Sequence, residues 1–188
     1  FRVAPETMAL MRAMVQHGEA DHLVAERVWQ EVARGLIEAR PSRLIATLDD
    51  CGLLAAWGLD ALKQSALGPE RASVLETHPL FTDAPLPVRW TWLVTALRDE
   101  AALRALAERW RVPNDARDLA LLVHRERETL RSAGDADTML ELFNRCDAWR
   151  KPTRFLEGLR VVEGEALSAP DAGAAVRAAT ARLAQALQ

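Results

Sequence analysis

The sequence predicts an all-α protein, an irregular array of about ten short helices, and three observations carry that expectation. Apolar residues recur at spacings of three and four along most of the chain. Proline, glycine and capping residues punctuate that pattern at helix-length intervals. No alternating apolar-polar stretch runs long enough to predict a strand, and no repeat period points to a solenoid.

Pro5 and Glu6 suit a first turn, Met8, Met11 and Val15 share a face, and Gly18 supplies a stop. From Val24 to Ala39, Val28, Val32 and Leu36 form a stripe beside Trp29, Ala33 and Ile37. Pro41 then opens a third helix carrying Leu44, Leu48 and Cys51 up to Gly52, and a short apolar helix spans Leu53 to Leu62. Residues 63–87 hold Gly68-Pro69, His78-Pro79 and Pro85-Leu86-Pro87, which marks them as a linker with one short helix near Pro69 to Glu76. Val88 to Leu97 and Glu100 to Trp110 read as two helices, with Leu103, Leu106 and Trp110 on one face of the second. Asn114 is the expected N-cap of a long helix through Leu119, Leu122, Val123 and Leu130, which Gly134 ends. Further helices are expected at Thr138 to Asn144, Pro152 to Val162 and Ala172 to Leu187, the last burying Val176, Ala179, Leu183 and Leu187. The methionine and tryptophan stripes read as core. The implied organisation is a first element at 1–62, the linker at 63–87, a second body at 88–163 and a tail helix at 164–188.

A chain of 188 residues can bury roughly 70% of its unfolded surface, enough to fold without staples. No apolar run approaches the roughly 18 residues of a membrane-spanning helix, so no membrane partner is expected. Cys51 and Cys146 stand far apart, which suggests reduced thiols and a cytoplasmic setting. Phe1 is not an initiator methionine, and the opening residues form no leader; the expectation is a piece of a longer protein.

Catalytic chemistry is hard to find. Gly35, Gly52 and Gly58 make no phosphate loop after a strand, and His17, His22, His78 and His124 lack metal-ligand spacing. None of Ser42, Ser65, Ser73, Ser132 or Ser168 sits in a nucleophile elbow, and Asp49-Asp50 read as solvated charges at a helix end. No catalytic residue and no metal ligand is therefore expected. Net charge is -3, so any nucleic-acid site has to be local. All basic residues but Lys63 and Lys151 are arginine, which codon usage explains as well as phosphate binding does.

One stretch stands out. Between 145 and 160, Arg145, Arg150, Lys151, Arg154 and Arg160 outweigh Asp147 and Glu157. Trp149-Arg150-Lys151-Pro152 sets an aromatic ring and two cations before a helix start, whose free amides also attract phosphate. Trp149 either fills the core or stacks on a base.

Four segments in order carry a resemblance: Phe1-Arg-Val-Ala-Pro-Glu-Thr7, Glu26-Arg-Val-Trp-Gln-Glu31, Val112-Pro-Asn-Asp-Ala-Arg-Asp118 and Cys146-Asp-Ala-Trp-Arg-Lys-Pro152. Together they resemble the C-terminal neck, body and tail of a proteobacterial CCA-adding tRNA nucleotidyltransferase. The resemblance implies a parent that adds CMP and AMP from CTP and ATP to the 3′ end of tRNA. Its magnesium-binding catalytic head would lie outside this sequence, leaving no cofactor here and no activity in this portion alone. It further implies that Glu26, Arg27 and Glu31 brace the nucleotide pocket and that body and tail hold the tRNA acceptor arm; Arg145, Arg150, Lys151 and Arg154 are the candidate phosphate contacts. The first sixty or so residues also resemble an RNA-binding element shared with bacterial poly(A) polymerases. Those polymerases have a basic tail, whereas residues 163–188 here hold Arg177 and Arg182 against Glu163, Glu165 and Asp171. Many members carry a His-Asp metal phosphohydrolase in the body. The dyad aligns with Thr95-Ala96 here, so the resemblance implies a retained scaffold without the hydrolase. A metal-dependent phosphohydrolase and a helical module with no nucleic-acid role are the rival readings.

Overall fold

In the computed structural model, residues 3–57, 59, 68–168 and 170–187 are described. Among them lie eleven α-helices and no strand. In chain order they are α1 (Pro5–Gln16), α2 (Ala25–Ile37), α3 (Ser42–Asp50), α4 (Leu53–Ala56), α5 (Gly68–Thr77), α6 (Leu86–Val94), α7 (Glu100–Arg109), α8 (Asn114–Ser132), α9 (Ala136–Arg145), α10 (Pro152–Glu165) and α11 (Pro170–Ala186). Short 3-10 turns at Glu19–His22 and Ala166–Ser168 join α1 to α2 and α10 to α11.

The longest helix, α8, is the hub. It packs against α6, α7, α10 and α11, while α2 rests on α6 and α3 on α5. One continuous apolar core runs from Trp29, Val32 and Leu36 of α2 through Trp90 and Trp92 of α6 to Leu183 of α11. A satellite cluster of Ala20, Cys51 and Leu53, covered by Met8, Met11 and Val15, holds α1 and α4 together. Arg12 Nε donates to the Asp50 carbonyl at 2.8 Å and ties α1 to the end of α3.

Local rules account for the helix boundaries. Gly18 and Gly52 adopt the left-handed conformation (φ 75° and 81°) that lets the chain turn sharply after α1 and α3. Asp99 and Asp135 cap α7 and α9, accepting from the Ala101 and Thr138 amides at 3.0 and 2.8 Å. Asn114 departs from its expected role. Proline at 113 holds the extended conformation before the helix and takes the cap position without a side-chain bond, so Asn114 is the first helical residue. Ile37 also departs: at the last turn of α2 it is 59% exposed, while Trp29, Val32 and Leu36 face the core.

Within the stretch 63–87, residues 63–67 lie outside the described residues, as do Gly58 and the expected end of the fourth helix at 60–62. The rest is well packed. Ala72, Leu75, Phe81 and Ala84 are buried, and Arg89 of α6 donates to the carbonyls of Ala84 at 3.0 Å, Leu36 at 2.8 Å and Thr82. One buried guanidinium thus satisfies the last turn of α2 and the 82–84 turn together. Burial lowers its pKa from the ordinary arginine value.

Candidate nucleic-acid interface

The basic stretch forms the turn from α9 into α10. The helix ends when Asp147 takes a positive φ of 52°, and the Cys146 and Ala148 amides donate back to Leu142 and Phe143 at 2.9 and 2.8 Å. This geometry sends Cys146 and Ala148 into the core and Trp149, Arg150 and Lys151 outward. Trp149 meets Phe143 edge-on at 5.1 Å and 75°, and Phe143 meets Phe155 of α10 the same way at 5.3 Å. The indole is anchored along one side and still 54% exposed, unlike the buried Trp29, Trp90, Trp92 and Trp110. It departs furthest from the expectation that the tryptophans are core, and Trp57 is half-buried.

The four cations expected here separate into two pairs. Arg145 is held by Glu126 of α8, with Nη2 and Nε at 2.9 and 3.2 Å from its two oxygens, and Glu141 lies 3.6 Å away. Arg154 turns inward. Its Nη2 donates to the Cys146 carbonyl at 2.6 Å, and its Nε is buried without a partner among the described residues. These two cations brace the turn. By contrast, Arg150 is 80% exposed, with Asp147 3.7 Å away, and Lys151 is exposed and makes no ion pair among the described residues. A surface pair at that distance is worth little, so both cations can reach a phosphate. They stand beside the first turn of α10, where Pro152 begins a helix whose leading amides point outward.

Behind the turn, an open cavity of about 460 Å³ lies between α8 and α10, lined by Asp118, Arg125, Glu126, Arg145, Cys146 and Arg154 among others. Burial pushes the Cys146 thiol up to about 12, overriding the neighbouring Arg145 and Arg154. The thiol is inert packing.

Glu26, Arg27 and Glu31 all lie on the outer side of α2. Glu26 sits 4.0 Å from Arg111, and Arg27 and Glu31 make no ion pair among the described residues. The three form no enclosed pocket with one another; they present charge away from the core.

The Thr95-Ala96 position holds something the sequence did not reveal. Thr95 is 3% exposed, its hydroxyl accepts from Arg71 Nη2 and donates to the Trp92 carbonyl at 2.9 Å, and its own carbonyl accepts from Arg127 at 3.0 Å. Glu165 of α10 pairs with both arginines, 3.4 Å from Arg71 and 3.0 Å from Arg127. Arg71 also lies over the Trp92 ring at 4.0 Å. Burial, with smaller contributions from Arg127 and Arg98, lowers the Arg71 pKa to about 10 against the pull of Glu165. A divalent cation does not fit this neighbourhood: its hydroxyl is engaged by a guanidinium and its charges are mostly positive. Arg71 and Arg127 lie far apart in sequence, the first after Glu70 and the second between Glu126 and Glu128, so each reads as an ordinary surface charge and no motif hints at the cluster.

Comparison with known proteins adds a family. Residues 1–60 match the family described as "Probable RNA and SrmB-binding site of polymerase A". The chain is 42% identical to the multifunctional CCA protein of Ralstonia nicotianae across 88% of its own length and 46% of that protein's. It is 40% identical to that of Variovorax paradoxus (88% and 47%) and 43% identical to that of Azoarcus sp. (82% and 45%). The chain spans about half the length of the curated relatives it matches. No solved structure matches it. Among the described residues, no helix is long and apolar enough to cross a membrane.

Proposed function

We propose that this chain, a relative of the multifunctional CCA proteins along 88% of its length, is the C-terminal, tRNA-holding portion of a CCA-adding enzyme. The likeness carried over nearly the whole chain is the observation that supports this reading most. In it, a separate magnesium-dependent head transfers CMP and AMP from CTP and ATP to the tRNA 3′ end, and this portion grips the acceptor arm without transferring nucleotides itself. Arg150 and Lys151 contact phosphate, Trp149 offers a face for stacking, and Arg145 and Arg154 hold the turn that presents them. Glu26, Arg27 and Glu31 face outward from α2 toward the nucleotide-binding side of the neck. A poly(A) polymerase role draws on the match over residues 1–60 alone, and the longer likeness favours CCA addition.

The experiment is binding of labelled tRNA to this chain across a salt series, with a tRNA lacking its acceptor end as control. The expected result is an affinity that needs the acceptor arm and falls with salt. Arg150→Ala with Lys151→Ala should then lower affinity and reduce the log-log salt slope by about 0.7–0.9 per lost phosphate contact. Salt-independent binding, or equal binding of both RNAs, overturns the reading.

A further inference from the structure

The open cavity of about 460 Å³ between α8 and α10 is lined by arginines from three helices: Arg125 of α8, Arg145 at the end of α9 and Arg154 in the first turn of α10. Leu121 and Leu122 add an apolar wall. The two carboxylates on the lining are already engaged. Glu126 is held by Arg145, and Asp118 accepts from Arg117 Nη2 and Nε at 3.0 and 3.2 Å. Arg125 is held in turn by Glu100, which lies outside the lining. Of the three arginines, only Arg154 has no carboxylate partner among the described residues; it is half-buried, and its bond goes to the Cys146 carbonyl. A partly desolvated cation without a counter-charge favours an anion beside it. The donors are within reach of one. The bonds named use Nε and Nη2 of Arg125 and Arg145 and Nη2 of Arg154, so each guanidinium keeps its Nη1 without a hydrogen bond among the described residues. The Arg125 and Arg145 side chains are about half exposed, and Arg154 Nη1, unlike its Nε, stays open to solvent. The Glu141 carboxylate near Arg145 Nη1 is itself at the surface and competes weakly.

From these residues we infer that the α8–α10 cleft seats one phosphate group of the bound RNA, with Arg154 as the inner contact and Arg125 and Arg145 on its flanks. A tetrahedral oxyanion offers acceptor oxygens in several directions at once, which suits guanidinium groups arriving from three helices. The volume falls within the roughly 300–1,000 Å³ of a small-ligand site, enough for a phosphate and the adjoining ribose against Leu121 and Leu122. The cleft lies behind the α9–α10 turn, so a strand that crosses Arg150 and Lys151 meets it next. Arg145 and Arg154 then serve twice: the bonded side of each guanidinium braces the turn, and the Nη1 left over is available to the strand. The inference rests on the tRNA-holding reading for the source of the phosphate, and it extends the phosphate contacts from the tip of the turn to α8. Glu126 competes with the phosphate for Arg145, so neutralising it separates the two duties: anion binding gains while the brace weakens.

The test uses two arms on this chain. In the first, inorganic phosphate is titrated into the 15N-labelled protein at an ionic strength held constant with chloride. The arginine Nε–H resonances are followed, assigned through Arg125→Lys, Arg145→Lys, Arg154→Lys and Arg89→Lys. The Arg125, Arg145 and Arg154 signals should move with phosphate, and that of the buried Arg89 should not. In the second arm, binding of labelled tRNA across a salt series compares the parent chain with Arg125→Gln and Glu126→Gln. Arg125→Gln, which leaves the bonds of the turn in place, should lower affinity and reduce the log-log salt slope by about 0.7–0.9. Glu126→Gln should raise the affinity for tRNA and for phosphate by roughly two- to fivefold. If the three arginine signals stay still and Arg125→Gln keeps the parent's slope, the cleft site is overturned, and the tRNA-holding reading stands on the salt-dependent binding of the parent. If phosphate moves the arginines but tRNA does not bind, RNA is overturned as the source of the phosphate. If neither binds, both readings fall.

Discussion

Two arginine neighbourhoods in this molecule are built from the same residue type and do opposite things. Around Thr95, the Arg71 and Arg127 side chains keep 5% and 9% of their exposure and share Glu165, itself 9% exposed. At the α9–α10 turn, Arg150 keeps 80% and Lys151 is likewise exposed. Burial commits a guanidinium to the fold, because a desolvated charge needs its counter-charge at all times. Exposure leaves the other pair free to exchange water and counter-ions for a polyanion. Removing the carboxylate from the buried set is therefore the harshest way to break the contrast. Glu165→Ala strands two buried cations, and thermal or urea unfolding should show a loss of about 3–5 kcal/mol. A loss near that of a surface substitution would show that the cluster is solvated after all.

Crowding around the same cluster gives a second, smaller effect. Gly164 sits where α10 crosses Phe81 and Trp92, and a Cβ there would collide with both rings. Gly164→Ala should cost about 1–3 kcal/mol in an unfolding measurement, although alanine is the better helix former. The paired replacement of Arg150 and Lys151 is the mirror experiment. It should lower RNA affinity as described above while leaving stability within about 0.5 kcal/mol. If unfolding instead showed a loss matching that of Glu165→Ala, the turn would belong to the scaffold.

The contrast also explains what could be read from the sequence. Helix positions were legible because proline, glycine and apolar spacing act locally. Pro5, Gly18, Pro41, Gly52 and Pro152 stand at or beside observed boundaries. The heavily buried face of α8 likewise followed from the spacing of Leu119, Leu122, Val123 and Leu130. Asn114 and Ile37 depart from their local preference, in one case through the backbone restriction of the preceding proline and in the other at the end of an amphipathic stripe. Sequence gave no means of sorting Arg145 and Arg154 from Arg150 and Lys151, because what separates them is Glu126 on α8 and the carbonyl of Cys146, groups that only folding brings near. The surroundings of Thr95 were not legible, because the arginines that fill them come from α5 and α8.

Glu100 lies between the two extremes and sharpens the comparison most gently. It is paired, as Glu165 is, with Arg125 at 2.6 and 3.0 Å and Arg104 at 2.9 Å, but it sits at the surface. Hydrogen bonds from Arg125 and Arg104 hold its carboxyl at about 2, against an ordinary value of 4.5. A carboxylate with a depressed folded pKa adds stability that is full above the unfolded value and is lost as pH falls from about 4.5 toward 2. Solvent and salt screen this exposed network, so the contribution is small. Comparing urea midpoints of the parent and Glu100→Gln between pH 5 and pH 2.5, the parent should lose its small advantage on acidification, and added salt should shrink that advantage at pH 5. An advantage insensitive to both would mean that Glu100 acts by packing, as a buried partner does, and that exposure alone does not divide the charges of this protein into two kinds.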